Sequence, residues 1–195
     1  MAAGESGRHS HDGVPRPAER LAGRGLVLER WRAGDVAELS AAVEVNLEHL
    51  IPWLEWPRHS SPAVLAEELE QSARHWDGGE RFEYAVRSAE QQTFLGSAGL
   101  MARIGPGALE IGYWVDSRHI RQGVATRAVA LLIDAAFALP GVEAVEIHHD
   151  AANLASAAIP ERLGFRRIGS APVEIRAPAE VGEEVRWRLE ATPFR

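Results

Sequence analysis

Apolar residues recur along this chain with two periods, and the places where one gives way to the other outline its elements. Leu26-Val27-Leu28 opens a strand that should run to about Trp31. Beyond it, Val36, Leu39, Val43, Leu47 and Leu50 fall at three- and four-residue steps, which places them on one buried helical face. Asp35, with Glu38 three residues later, has the pattern of a capping box at the start of that helix. The segment 51–57 is bracketed by Pro52 and Pro57, which oppose a regular helix, so Trp53 and Trp56 lie in a connection. Ser61-Pro62 then pairs a cap with a first-turn proline. Leu65, Leu69 and Trp76 mark the inward face of a second helix that ends at Asp77-Gly78-Gly79.

Three strand-like stretches follow, near 81–88, 93–103 and 108–115, separated by polar or Gly/Pro turns such as Gly105-Pro106-Gly107. They predict an antiparallel meander. A long helix over about 123–138 stops at Pro140-Gly141, and 142–149 reads as another strand. A further helix covers about 154–163 and ends at Gly164 in the C-cap position; strands near 165–175 and 183–190 complete the chain. Pro160 removes a backbone donor inside that last helix, which predicts an irregular or kinked start. Residues 1 to about 20 show no apolar periodicity and read as a solvated tail, leaving one domain from about residue 21 to 195. The order of elements implies an α/β fold with about seven strands. Its sheet is mostly antiparallel, and locally parallel where strand 108–115 crosses through a helix to strand 142–149.

Composition narrows the function. A chain of 195 residues can bury one substantial core, and no repeat divides it. The formal charge of −7 disfavours nucleic acid and anionic membrane as partners, because both need a basic surface, and it suits a cationic amine. No apolar run approaches the roughly 18 residues of a membrane span, and the polar first 20 residues lack a signal-peptide centre, so a cytoplasmic location is expected. The absence of cysteine excludes disulfides, thiolate metal sites and a cysteine nucleophile. Transfer without an acyl-enzyme becomes the simpler chemistry.

The most informative stretch runs from Glu110 to Thr126, where a strand enters a short loop that opens the longest helix around Gly123. A helix start carries unpaired N–H groups and the positive end of the dipole, so it can hold a phosphate through its backbone. Gly123 permits close approach and Ala125 is small. One such glycine is also compatible with a plain structural turn. Neither the P-loop pattern nor Gly-x-Gly-x-x-Gly is present, which removes the usual support for nucleotide hydrolysis and dinucleotide redox chemistry. On strand alternation Glu110, Gly112 and Trp114 share a face, with a glycine gap where substrate could lie. Read alone, Glu110 is either an ion-pair partner or a proton acceptor. Asn153 and Ser156, read alone, are helix caps.

EIGYWV (110–115), RQGVAT (121–126) and HHDAANLASAAIPERLGF (148–165) together resemble the acetyl-CoA signature of the GNAT N-acetyltransferase superfamily. NLEHLIPWLEW (46–56) is similar to its RimJ/RimL ribosomal-protein branch. The resemblance implies a sheet splayed between its fourth and fifth strands, with acetyl-CoA entering the opening. It implies a pyrophosphate cradle from Arg121, Gln122, Gly123, Val124, Ala125 and Thr126, and backbone contacts from Trp114 and Val115 to the pantetheine arm. Asn153 would touch the same arm, Glu110 would be the general base, and Ser156 would bind near the sulfur and protonate the thiolate, a role that other members give to tyrosine. Trp53 and Trp56 would wall the acceptor site; core packing is their other reading. Ile120 departs from the pattern, since Arg or Gln usually stands three residues before the first glycine.

Adjacent strand histidines face opposite sides, so His148 and His149 cannot readily clasp one metal ion. His148 instead points toward the substrate face as a second proton acceptor, with Glu146 nearby. Glu48 and Glu55 could attract a cationic amine, and His9 and His11 belong to the tail. The expected reaction is direct acetyl transfer to a primary amine, either a protein N-terminus or a small molecule such as an antibiotic, polyamine or amino acid. A CoA-binding regulatory module without catalysis is the rival of another class. A homodimer joined through edge strands fits the fold class.

Overall fold

The computed structural model describes residues 15–191, so His9, His11 and most of the expected tail lie outside the described residues. Eight strands form one sheet in the order β1-β2-β3-β4-β5-β6-β8-β7. They are β1 (Arg20–Gly23), β2 (Leu26–Arg30), β3 (Arg81–Ser88), β4 (Phe94–Met101), β5 (Ala108–Val115), β6 (Ala144–Asp150), β7 (Arg166–Pro172) and β8 (Glu183–Glu190). All neighbours are antiparallel except β5 and β6. Four helices accompany them: α1 (Val36–Leu50), α2 (Pro62–Gly78), α3 (Val124–Phe137) and α4 (Leu154–Arg162).

The strand beyond the expected seven is β1. Residues just before it, which composition alone assigns to a solvated tail, are held against the sheet. Pro17 is buried, the Tyr84 hydroxyl donates to the Ala18 carbonyl at 3.0 Å, and Glu19 bridges Arg30 and Arg32 at 2.7 Å each. These are long-range polar contacts, so no local apolar period announces them.

Strand alternation divides the core between two faces. Ile111, Val145 and Ile147 point into the main cluster, where Val129 and Leu132 of α3 and Ile159 of α4 meet Leu26, Leu28, Phe82 and Tyr84. Trp76 of α2 closes that cluster edge-on to Phe82 and Tyr84, with centroids 5.2 and 5.1 Å away. Trp31, Leu39, Val43, Leu65, Leu69 and Phe94 form a second cluster, with Trp114 packed against it.

Helix starts differ in part from their sequence signatures. Ser61 caps α2 by accepting from Val64 N at 3.3 Å, as its pairing with Pro62 predicts. Asp35 does not form a box with Glu38. Its carboxylate turns back to accept from Arg32 N at 2.9 Å, stabilising a preceding 3-10 turn, while Glu38 pairs with Arg87 of β3. On α1, Leu47 is exposed and the buried place beside it belongs to Asn46. The α4 helix is continuous through Pro160 rather than irregular at its start, because Asn153 Oδ1 caps Ser156 N at 3.1 Å.

Asn46 explains its own burial. Its amide donates to Asp116 Oδ2 at 3.1 Å, and its carbonyl accepts from Ser117 N at 2.7 Å, clipping α1 to the loop after β5. Asp116 is wholly buried and accepts also from Arg118 N, Nε and Nη2. The Arg118 side-chain bonds hold this carboxyl far below the usual range against the opposing effect of burial, with the Arg118 backbone N–H and Asn46 assisting. A folded-state pKa depressed below the unfolded value adds stability above about pH 4, which is lost as pH falls. Asp116→Asn is therefore expected to lower the unfolding free energy at pH 7 by about 1–3 kcal/mol, with the gap to the parent narrowing toward pH 3. Denaturant titrations at both pH values check this; a gap of equal size at each would show that the charge contributes nothing.

Candidate active site

Parallel pairing of β5 with β6 is short. Ala108, Leu109 and Glu110 face Ala144, Val145 and Glu146, and the register ends there. Beyond it β5 stays with β4 as far as Val115, and β6 stays with β8 as far as Asp150. The strands thus part at a fork whose closed end is marked by two glutamates.

Those carboxylates are almost fully buried, with side chains 8% and 9% exposed, and two such anions side by side need counter-charges. Arg103 donates to both oxygens of Glu110, at 2.8 and 2.6 Å. Arg188 donates to Glu146 Oε1 at 2.7 Å, and His148 Nε2 lies 2.7 Å from Glu146 Oε2. His148 Nδ1 is 3.8 Å from Glu110 Oε2 and 3.7 Å from Glu184 Oε1, so the imidazole sits among three carboxylates. Burial alone would raise the Glu146 pKa, but the bonds from His148 and Arg188 outweigh it and the net direction is down. The Glu110 bond likewise raises the Arg103 pKa. Chemically, a carboxylate so placed can accept a proton, with an imidazole behind it. Its in-plane lone pairs are held by a guanidinium, the side chain of which is 64% exposed, so any incoming cation would compete with Arg103.

Along β5 the predicted alternation holds. Trp114 shares the Glu110 face and packs on Phe94 with centroids 5.6 Å apart, while Val115 packs against the main cluster. The expected gap over Gly112 is occupied, since Met101 Cε would lie 3.0 Å from a Cβ built there. Gly96 of β4 is obligatory at φ +150°, because a Cβ would fall 2.2 Å from the Trp114 carbonyl oxygen.

The opposite face of β5 carries Tyr113, which sequence reasoning passed over. Its hydroxyl crosses the fork to α4 and lies 3.1 Å from both the carbonyl oxygen and Oγ of Ser156. Burial pushes the Tyr113 pKa up to about 12, with the Ser156 contact acting the other way. The Asn153 carbonyl is engaged as the α4 cap, so its NH2 group remains for other partners.

At the other lip, Gly123 caps α3 at φ +73° with nothing within 4 Å of where its Cβ would be. Arg121 before it is also left-handed, at φ 60°. Val124, Ala125 and Thr126 offer first-turn N–H groups; the Val124 side chain is buried, so its backbone alone faces the loop. Arg121 and Gln122 are exposed, with the Gln122 amide donating to Arg118 O at 3.3 Å. Arg127 folds back to donate to Gly123 O at 3.3 Å and Arg24 O at 3.0 Å, which brings a guanidinium to the helix start. Cationic side chains therefore surround the loop although position 120 is isoleucine.

Where the sequence places the acceptor wall, the structure has a rim of three connected pieces. Trp53 is half-buried, Trp56 is 41% exposed, and neither joins either buried cluster. Pro52 O accepts from Ala179 N at 2.9 Å, so the connection leans on the 173–182 loop. Asp150 ties that loop to β6 by accepting from Val181 N and Gly182 N at 3.0 Å each and from Ala152 N at 2.9 Å. Val173, Ile175 and Val181 stand exposed on the loop. Glu48 and Glu55 are exposed. A separate cleft of about 460 Å³ lies at the far end of the sheet, between the β4–β5 turn and Pro140-Gly141, and no titratable side chain lines it.

A family model described as an acetyltransferase (GNAT) domain matches residues 25–166. The chain belongs to the GNAT acetyltransferase family. It is 30% identical over 100 residues to the probable N-acetyltransferase YjcK of Bacillus subtilis (strain 168), covering 50% of this chain and about half, 55%, of that protein. Its fold is similar to that of RimL, a ribosomal L7/L12 α-N-protein acetyltransferase solved with coenzyme A, at TM-score 0.81 and 20% identity over 88% of this chain and 98% of RimL. It is similar also to MccE, a microcin C7 self-immunity acetyltransferase solved with acetyl-CoA and AMP, at TM-score 0.79 and 16% identity over 87% of this chain and 94% of MccE.

Within this GNAT domain the fork brings Glu110 and His148 together on one face and Ser156 with Asn153 on the other. His149 points away from His148, its Nδ1 to Asp150 O at 2.8 Å and its Nε2 accepting from Trp187 at 2.9 Å. No group of three His, Asp or Glu side chains is placed to hold a metal among the described residues. No helix among them is long and apolar enough to cross a membrane. Arg103, Tyr113, Arg127 and the 173–182 loop were missed from sequence, because each acts through a partner far along the chain or in the opposite strand. The rim makes a prediction: Asp150→Ala deprives Val181 and Gly182 amides of their acceptor, and their hydrogen exchange is expected to accelerate about tenfold or more while exchange in β6 itself is unchanged. Uniform acceleration across the sheet would mean that Asp150 supports the whole fold rather than the rim.

Proposed function

We propose that this protein moves an acetyl group from acetyl-CoA directly to a primary amine, with a protein N-terminal α-amine as the acceptor. The observation that carries the reading is the fork: two strands part after Glu110 and Glu146, between a glycine-opened helix start and a buried proton acceptor. Amides of Val124, Ala125 and Thr126, with Gly123 leaving space before them, suit a diphosphate, and Arg121, Gln122 and Arg127 add polar donors. The unpaired edges of Trp114 and Val115 suit the amides of a pantetheine arm, and the free NH2 of Asn153 suits a carbonyl on the same arm.

Glu110 takes a proton from the incoming ammonium and so leaves a neutral amine, with His148 beside it to carry the proton on toward Glu146. The amine attacks the thioester carbon, the carbonyl electrons move to oxygen, and a backbone N–H of β5 steadies that oxyanion. Collapse releases the thiolate, which Ser156 protonates. No acyl-enzyme is required, in keeping with a chain that has no cysteine.

A peptide acceptor is favoured by the rim. Trp53, Trp56 and the exposed Ile175 and Val181 offer an extended apolar surface, which suits a chain end more than a small polar amine. The likeness of the fold to both RimL and MccE keeps a small-molecule amine as the second reading. Labelled acetyl-CoA offered to N-terminal peptides and to polyamines, amino acids and aminoglycosides separates them: transfer to peptides is expected, and transfer confined to small amines would reverse the choice. Tight CoA binding with no transfer to any amine would favour a regulatory module.

Glu110→Gln keeps the shape and one acceptor oxygen but not the base. Turnover is expected to fall about 10²–10⁴-fold, while calorimetric affinity for CoA stays within about twofold of the parent. Turnover equal to the parent at every pH would remove Glu110 from the chemistry.

A further inference from the structure

Pro160 has no N–H, so the carbonyl of Ser156, four residues earlier in α4, lacks the donor that a helix normally supplies. Tyr113 fills that place from across the fork, with its hydroxyl 3.1 Å from the Ser156 carbonyl oxygen and 3.1 Å from Ser156 Oγ. Since the carbonyl can only accept, the tyrosine proton has two resting places, the carbonyl and Oγ. Moving between them turns hydroxyl hydrogens alone and no heavy atom.

We infer that Tyr113 is a positioning residue for Ser156: it fixes Oγ at the mouth of α4 and donates to it when the Ser156 proton turns toward the leaving sulfur. The inference rests on the proposed role of Ser156 as the acid. As the tetrahedral intermediate collapses, the carbon–sulfur bond breaks with its electron pair on sulfur. Ser156 Oγ gives its proton to sulfur and recovers one from water. The Tyr113 proton stays on the tyrosine oxygen throughout, which its raised pKa favours. Donation into Oγ makes the serine O–H a stronger donor toward developing negative charge. With the proton instead on the carbonyl, Oγ–H points at Tyr113, so the same contact sets the serine rotamer before CoA arrives. The proline thus leaves open the one carbonyl that lets a strand residue hold the α4 serine.

A double-mutant cycle with Tyr113→Phe and Ser156→Ala tests this, with melting curves to establish that each variant folds. Tyr113→Phe is expected to lower kcat about tenfold, leaving KM for acetyl-CoA and calorimetric affinity for CoA within about twofold. Ser156→Ala is expected to lower kcat about a hundredfold, and adding Tyr113→Phe to it should cause no further loss. An equal loss from Tyr113→Phe in both backgrounds, or a rise in KM with kcat unchanged, would overturn the positioning role while leaving Ser156 as the acid. A Tyr113→Phe enzyme as fast as the parent would do the same. Parent-like turnover in Ser156→Ala would overturn both assignments at once.

Discussion

The parting of β5 from β6 is the constraint on which the site depends, and it follows from a competition between partners. Each strand has an antiparallel neighbour on its other side: β5 follows β4 through six registered pairs, and β6 follows β8 through seven. Between themselves they keep three parallel pairs. Antiparallel pairing is slightly the more stable per residue, and each strand twists with the partner it holds more of. The parallel seam is therefore the one that yields. Unpaired backbone polar groups would be costly if that seam were buried, so an opening of this kind suits a ligand that brings amides of its own.

Charge accumulates where the seam closes, for a reason that is also geometric. Glu110 and Glu146 are opposite each other in the last parallel pair, and their burial is tolerable only because Arg103, Arg188 and His148 converge on them from three different elements. A third buried carboxylate, Asp116, sits at the other end of β5 and is satisfied by Asn46 of α1 and by Arg118. The strand is thus pinned at both ends by ion pairs, with Arg103 at Glu110 and Arg118 at Asp116, and Asn46 adds a hydrogen bond from α1 at the second. Asn46 thus ties α1 directly to the loop that follows β5, by donating to Asp116 and accepting from Ser117 N.

Local pattern revealed most of this frame. The meander, the crossover helix and the last two strands sit within a few residues of their expected places, because each is written in apolar periods of two or about 3.6. What periodicity does not carry was lost. The residues that lead into the short β1 are held by a hydrogen bond and an ion pair to residues 66 and 11 positions away. Asn46 took a buried place that a hydrophobic rule assigns to Leu47, and Asp35 capped backward because Glu38 had a better partner in Arg87. Glu110, Asn153 and Ser156 were singled out by resemblance to the family motif, and His148 by strand alternation. Their surroundings were not, since Arg103 and Tyr113 become meaningful only when a turn folds over the sheet and a strand faces a helix.

Departures from local rules concentrate at the fork. Three non-glycine residues adopt positive φ among those described; Arg24 and Gln92 do so in tight turns between strands, and Arg121 does so at the mouth of α3, where no hairpin demands it. Pro160 lies inside a helix that continues past it, and the carbonyl it leaves free is the one Tyr113 uses. Gly96 is forced by a backbone approach of β4 to β5 at the level of Trp114. Strained or donor-poor positions persist when the surrounding structure over-determines them, and here the surroundings are the two lips of a single opening. Stability alone would favour glycine at 121 and a helix former at 160. Both lie on the lips of the opening, where the proposed chemistry calls for amides aimed outward on one side and a hydroxyl held still on the other.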